Sequence, residues 1–125
     1  MFSHVMVGSN DLERSRQFYD GLFGKEAKRD DKGRLSYGRR GAVFMVTSPI
    51  DGAPASHGNG STIGFSFDSP EEVDAWHQAG IAAGGTAIEE PPGYRENAFG
   101  KLYLAYLRDP DGNKLCGLCR EAEGA

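Results

Sequence analysis

The strongest constraint on the fold is an internal repeat, because the second half of the 125-residue chain follows the pattern of the first half. Each half begins with a segment of alternating residue types, 2–8 and 62–67, which is typical of a strand. A helical pattern and three further strand-like segments follow in each half. We therefore predict two βαβββ repeats, at about 1–50 and 60–120, within a single domain over residues 1–125.

The two predicted helices have clear capping signals. Asp11, after Asn10, is a suitable N-cap for a helix that Gly24 ends. In the second half, Ser69 is followed by Pro70 at the first helical position and by Glu72 three residues later, which is a strong helix start. These signals place one helix after the first strand of each repeat.

The halves also align in register. His4 aligns with Thr62 at a spacing of 58 residues, and Met45 aligns with Cys116 at a spacing of 71 residues. The second half therefore holds about 13 extra residues. We assign most of them to a loop over 92–101, because the run 91–93, Pro-Pro-Gly, is expected to break the preceding strand.

The predicted loop over 92–101 has three open interpretations. It carries Tyr94, Arg95, Glu96 and Asn97, which would suit a lid over a site or a contact in a dimer. A disordered insertion is an equal alternative. The tail over 121–125 is expected to be frayed.

Composition excludes several classes of function. Fourteen basic and eighteen acidic side chains give a net charge of −4, which argues against a nucleic-acid partner and suits a cationic ligand. No apolar run has the ~20 residues of a membrane span, and no signal peptide is evident. Two cysteines are too few for a secreted disulfide scaffold, so we expect a cytoplasmic protein with no membrane partner.

Two local motifs, taken with the repeat, carry a family resemblance. His4 precedes the segment 10–19, Asn-Asp-Leu-Glu-Arg-Ser-Arg-Gln-Phe-Tyr, and the segment 106–115 reads Tyr-Leu-Arg-Asp-Pro-Asp-Gly-Asn-Lys-Leu. Over nearly the whole chain this resembles the vicinal oxygen chelate superfamily, which includes glyoxalase I, bleomycin-resistance proteins, extradiol dioxygenases and methylmalonyl-CoA epimerase. The resemblance implies an α+β fold in which tandem βαβββ modules form a cupped mixed sheet.

The resemblance also implies four metal-ligand positions, which are His4, Met45, Thr62 and Cys116 in this chain. Glyoxalase-like members use His or Gln on the first strand of each module and Glu on the last strand. Only His4 keeps the family's residue type, and no carboxylate remains to move a substrate proton. A catalytic metal needs about three good protein ligands, so Zn, Ni, Fe or Mn is disfavoured as a cofactor.

Other candidate groups have weaker signals. His57 lies in a glycine-rich linker, where a solvated loop histidine is the simpler interpretation, and His77 is expected to pack or cap on its helix. Cys116 and Cys119 are three residues apart on a strand, so they face opposite sides. Without a second cysteine pair, they do not form a zinc ribbon.

The sequence thus favours a metal-free protein that binds a small organic ligand in an apolar pocket. The alternative is a metal-dependent lyase, isomerase or dioxygenase that uses His4, Cys116 and either His57 or Glu96 as ligands. An interaction module is a third, non-catalytic option. The resemblance also implies a homodimer. The residues expected to line the pocket are His4, Met45, Thr62, Ser66, Tyr103, Tyr106 and Cys116, and only one of the two tyrosines can face inward.

Overall fold

The first repeat folds as one βαβββ unit in the computed structural model, which describes residues 1–98 and 100–120. The predicted frayed tail therefore lies outside the described residues. The elements of this unit are β1 (His4–Gly8), α1 (Leu12–Phe23), β2 (Lys28–Arg29), β3 (Leu35–Arg39) and β4 (Ala42–Thr47).

The second repeat has the same order of elements. It comprises β5 (Ile63–Ser66), α2 (Pro70–Ala82), β6 (Thr86–Asn97), β7 (Gly100–Arg108) and β8 (Lys114–Arg120). The prediction of an α+β fold built from tandem βαβββ units is therefore confirmed. Among the described helices, none is both long and apolar enough to cross a membrane.

Each repeat forms its own four-stranded mixed sheet, in the orders β1-β4-β3-β2 and β5-β8-β7-β6. The first strand of each unit pairs in parallel with its last strand, and the other pairs are antiparallel. Val5 pairs with Phe44, and Ile63 pairs with Leu115. These pairs are related by the spacings of the sequence alignment, so the predicted register of the repeats is confirmed.

Both helices begin at the predicted caps. The Asp11 side chain accepts a hydrogen bond from the Arg14 backbone N–H, and the Ser69 side chain accepts one from the Glu72 backbone N–H. Gly24 ends α1 in the left-handed conformation, with φ of 65°, which glycine adopts without steric penalty. The caps therefore fix the residue at which each helix begins after the first strand of its repeat.

The extra residues of the second repeat do not form the predicted loop. β6 runs through Pro91 and Pro92 as far as Asn97, with a shift in its pairing to β7 between Ile88 and Gly93. β6 is an edge strand, where the missing N–H of proline removes no hydrogen bond from a second neighbour, and the irregularity absorbs the bend. The expectation that the prolines end the strand is therefore wrong, and the insertion extends a hairpin.

The helix sides of both sheets share one hydrophobic core. Phe44 from the first sheet and Phe65 from the second sheet lie with ring centroids 5.4 Å apart, and Phe23 of α1 contacts both rings. Trp76 of α2 packs against Gly117 of β8, where a Cβ atom would lie 2.6 Å from the indole ring. The two repeats therefore form one packed unit.

The Asp-Pro-Asp-Gly-Asn turn between β7 and β8 joins the second repeat to the first. Asp111 accepts hydrogen bonds from the backbone N–H of Asn10 and from the side chains of Arg14 and Ser15. The Tyr19 hydroxyl donates to Asp109 at 2.6 Å. This turn is therefore a contact between the repeats.

Candidate functional site

The sheet face that points away from the helices holds most of the residues predicted to form the pocket, and we call it the cup face. On β1, Val7 is buried on the helix side, whereas His4 and Met6 are exposed on the cup face. Met45 of β4 is paired with Met6 and is half-buried on the same face. The cup face of the first sheet is thus open and largely apolar.

The cup face of the second sheet is more closely packed. Leu102, Leu104 and Cys116 form a buried cluster, with Tyr106 and Leu118 packed against it. Cys116 is paired with Tyr106 on one side and with Gly64 on the other. This apolar cluster has one thiol and one phenol as its polar groups.

Of the two candidate tyrosines, Tyr106 lies on the cup face and Tyr103 does not. The Tyr103 hydroxyl donates to Asp74 of α2 at 2.6 Å, which places this side chain on the helix side. Of the two candidates, only one of which was expected to face inward, Tyr103 is therefore removed from the predicted pocket. The sequence left this choice open because the two-residue period of a strand separates residues three apart and does not say which one faces the cup.

Burial controls the chemistry of the Cys116 thiol. Desolvation raises the pKa of Cys116 to about 11, against the smaller opposing effect of a hydrogen bond with Tyr106. The Lys114 ammonium lies 4.6 Å from the centre of the Tyr106 ring and forms an ion pair with Glu89. At neutral pH Cys116 is therefore a protonated, weakly nucleophilic thiol.

The side chains now present at the four positions of the implied metal site do not form a donor cluster. His4 and Met45 belong to the first sheet, and Cys116 belongs to the second sheet. Thr62 immediately precedes β5 and is exposed. Across residues 1–98 and 100–120, no group of three or more His, Cys, Asp and Glu side chains is placed to hold a metal ion. The residues present therefore do not fit the metal that the family implies.

The remaining candidate ligands lie elsewhere. His57 is exposed, and its ring lies over Gly112. A Cβ atom added to Gly112 would be 2.8 Å from Nδ1 of His57. Glu96 is exposed near the end of β6. His77 is buried on α2, and burial lowers its pKa, against a smaller opposing effect of a hydrogen bond with the Tyr106 backbone. His77 therefore has the packing role that the sequence predicts.

Two cavities open along the line where the sheets meet. One, of about 230 Å³, is lined by Ser66 together with apolar side chains that include Phe2, Val43 and Ile63. The other, of about 300 Å³, is lined by Met6, Ile63, Lys114 and neighbouring residues. Of the residues predicted to line the pocket, Ser66 lines one of these two cavities, and the others line neither.

Sequence reasoning missed two arginines at this junction. Arg39 and Arg40, at the turn between β3 and β4, line the 230 Å³ cavity. Arg40 has a positive φ of 52° and forms an ion pair with Asp68 at 2.9 Å. Their position next to Gly41 was visible in the sequence, but the packing that places this turn beside β5 is a tertiary feature.

Comparison with known proteins gives the family. Residues 1–116 match the family described as the Glyoxalase/Bleomycin resistance protein/Dioxygenase superfamily. The chain belongs to this superfamily. The match runs from the first strand to Cys116, so it includes all four positions of the implied metal site.

Solved structures and curated proteins agree with that assignment. The chain is 59% identical to a glyoxalase/bleomycin resistance protein from Albidiferax ferrireducens T118, with a TM-score of 0.92 over 96% of this chain and 99% of that chain. It shares its fold with a lactoylglutathione lyase from Agrobacterium tumefaciens, at 21% identity and a TM-score of 0.70 over 100% of this chain and 97% of that chain.

A curated relative is similar at a greater distance. Lactoylglutathione lyase GLX1 of Arabidopsis thaliana is 28% identical over 119 residues, which are 89% of this chain and 41% of the plant protein. The chain thus spans less than half the length of the curated plant proteins that it matches.

Proposed function

We propose that this chain is a small-molecule-binding member of the superfamily that acts without the catalytic metal. The observation that carries this proposal is the set of Met45, Thr62 and Cys116 at three of the four implied ligand positions. A thioether, a hydroxyl and a protonated thiol are neutral, and with His4 they give too few strong donors for a catalytic Zn²⁺, Ni²⁺ or Fe²⁺ ion.

The proposed ligand is a small organic molecule held on the cup face. The apolar side chains of Phe2, Val43 and Ile63 in the 230 Å³ cavity support an apolar body for this ligand, since such pockets bind mainly by apolar enclosure with a few orienting polar groups. Arg39 and Arg40 at the 230 Å³ cavity disfavour a cation there, despite the net charge of −4. The ligand of this cavity is therefore uncharged or anionic.

The proposal includes a cytoplasmic location and a homodimer. Phe2, Met6 and Val43 expose 69%, 39% and 36% of their surface, and Met6 and Val43 lie on the cup face of the first sheet, where a second copy would cover them. Size-exclusion chromatography with light scattering measures the mass directly. A monomer at micromolar concentration would remove the dimer from the proposal and leave the ligand site unaffected.

Native mass spectrometry of protein purified without chelators tests the ligand proposal. We expect a bound organic mass, no transition metal, and no change after dialysis against EDTA. Gly64→Leu should remove the organic mass, because Gly64 lines the 230 Å³ cavity and has open space at its Cβ position. Gly38→Leu is the matched control, since Gly38 is also an exposed strand glycine with open space but does not line that cavity.

The alternative function is that of a metal-dependent lyase, isomerase or dioxygenase with an altered ligand set. The similarity to a plant protein named as a lactoylglutathione lyase favours this alternative. It requires His4 and Cys116 to bind a metal with His57 or Glu96. Added Zn²⁺ or Ni²⁺ should then raise the melting temperature, and His4→Ala should abolish that rise. No response to any divalent metal would rule out this alternative.

A further inference from the structure

A second cavity lies on the helix side of the sheets, away from the cup face. It has a volume of about 460 Å³ and lies between the C-terminal end of α1, the end of β3 and the first turns of α2. We call it the interhelix cleft. Its volume falls within the range of small-molecule sites, which is about 300–1,000 Å³.

Apolar and aromatic side chains form most of the cleft wall. Leu22, Phe23, Phe67 and Trp76 line it, together with small residues of both helices. Trp76 is 3% exposed, and its indole N–H has no hydrogen-bond partner within the part of the chain that the structure describes. Gly117 packs against the six-membered ring of the indole. Because the N–H is itself buried, the indole serves the cleft as an apolar wall.

Two cations line the cleft, and both have uncharged partners. The Arg39 guanidinium carbon lies 4.5 Å from the centre of the Phe67 ring, and within residues 1–98 and 100–120 Arg39 forms no ion pair. The Lys25 ammonium donates to the backbone carbonyl of Gly38. Burial, and next the charge of Arg40, lower the pKa of Arg39, although an arginine stays protonated. The charges of Glu72 and Asp68 oppose this shift without cancelling it, so a further anion beside Arg39 would be favourable.

The neighbouring acids are already engaged. Glu72, which lines the cleft, accepts a hydrogen bond from the Asp68 backbone N–H at the start of α2. The Asp68 carboxylate pairs with Arg40, which does not line the cleft. Lys25 and Arg39 against Glu72 still give the cleft lining a net charge of +1, which favours an anion over a cation.

We infer that the interhelix cleft is a second small-molecule site, distinct from the cup face, for a small organic anion with an aromatic or apolar body. The carboxylate of such a ligand would accept hydrogen bonds from Arg39 and Lys25, and its body would lie against Phe67 and Trp76. Guanidinium groups bind carboxylates through paired, charge-assisted hydrogen bonds, which explains the preference for an anion.

Trp76 gives a specific probe, because it is the single tryptophan of the chain. Phenylacetate should change its emission saturably and shift its one indole N–H resonance in an NMR spectrum. Neutral phenylacetamide, of the same shape, should bind at least about tenfold more weakly, since a hydrogen bond to a charged group contributes about that factor. Equal binding of the two compounds, or no binding of phenylacetate, would overturn the inference.

Lys25→Gln and Arg40→Gln separate this site from the sheet junction, because Lys25 lines only the cleft and Arg40 only the 230 Å³ cavity, whereas Arg39 lines both. Arg39→Gln and Lys25→Gln should each weaken phenylacetate binding by about tenfold. Arg40→Gln should change it less than about twofold, because Arg40 lines the 230 Å³ cavity but not the cleft. If Arg40→Gln weakens phenylacetate binding as much as Lys25→Gln does, the anion binds at the sheet junction instead.

A second copy is the competing occupant of the cleft. If light scattering shows a dimer that Arg39→Gln dissociates, and phenylacetate does not bind, the cleft is a contact between copies and the inference is wrong. Gly64→Leu is expected to lose the cup-face ligand. The response of Trp76 to phenylacetate should be unchanged in this variant. Failure of the proposed function and failure of this inference are thereby distinguishable.

Discussion

The Tyr19 hydroxyl donates a hydrogen bond of 2.6 Å to the Asp109 carboxylate, and this bond joins α1 of the first repeat to the β7–β8 turn of the second repeat. Tyr19 is 0% exposed and Asp109 is 4% exposed. The same carboxylate accepts hydrogen bonds from the backbone N–H groups of Asp111 and Asn113 and from the Asn113 side chain. A buried charge is tolerable here because several donors satisfy it.

Tyr19→Phe should destabilise the protein by about 1.5–3 kcal/mol, because it removes a buried hydrogen bond to a charged acceptor. Tyr103→Phe is the control, since its bond to Asp74 is partly solvated, and it should lower the free energy of unfolding by about 1 kcal/mol or less. Urea unfolding measures both. Equal losses in the two variants would contradict a special role for the bond between the repeats.

Gly117→Ala should lower the free energy of unfolding by about 1–3 kcal/mol, the usual effect of overpacking a core. The added methyl group would lie 2.6 Å from the Trp76 ring. Gly64→Ala on the neighbouring strand meets nothing within 4 Å, so the free energy should stay unchanged or rise by up to about 1 kcal/mol. If Gly117→Ala leaves the free energy of unfolding unchanged, Trp76 is not packed against Gly117 as the structure places it.

The Cys116 thiol should react slowly with iodoacetamide in the folded protein, since burial raises its pKa to about 11 from an ordinary value of 9.0. In a Cys119→Ser background, the labelling rate should keep rising with pH through 9 and level off only near 11. Because the folded pKa is the higher one, the protonated thiol favours the folded state, and this contribution is lost as the pH rises through about 11. A rate that levels off below pH 9 would contradict the burial of Cys116.

The sequence predicts the strand register of the repeats because side chains alternate along a strand every two residues and the pairing of strands follows the same alternation. Met6 pairs with Met45, and Gly64 pairs with Cys116, at the spacings of the alignment. The two-residue period of a strand fixes which residues share a face once one residue is placed. The four implied ligand positions, by contrast, come from the family resemblance and not from this period.

Other features depend on contacts that the local sequence does not encode. The path of β6 through Pro91 depends on its edge position in the sheet, and the side of Tyr103 depends on Asp74 of α2. The position of Arg39 at the interhelix cleft depends on how the repeats pack together. The interhelix cleft therefore could not be predicted from the sequence, whereas candidate residues for the cup face could.

A variant that restores the family's donors provides a positive control for metal binding. Met45→Glu, Thr62→His and Cys116→Glu, combined in one chain with His4 unchanged, would supply two imidazoles and two carboxylates. This variant should take up a divalent transition metal if these four positions correspond to the family's ligand positions. A folded variant that takes up no metal would show that they do not.

Elemental analysis of freshly purified wild-type protein, prepared without chelators beside that variant, is the most direct measurement. We expect no transition metal above the background of the buffer in the wild-type protein and a stoichiometric metal in the variant. A stoichiometric transition metal in the wild-type protein, removed by His4→Ala, would contradict the metal-free function.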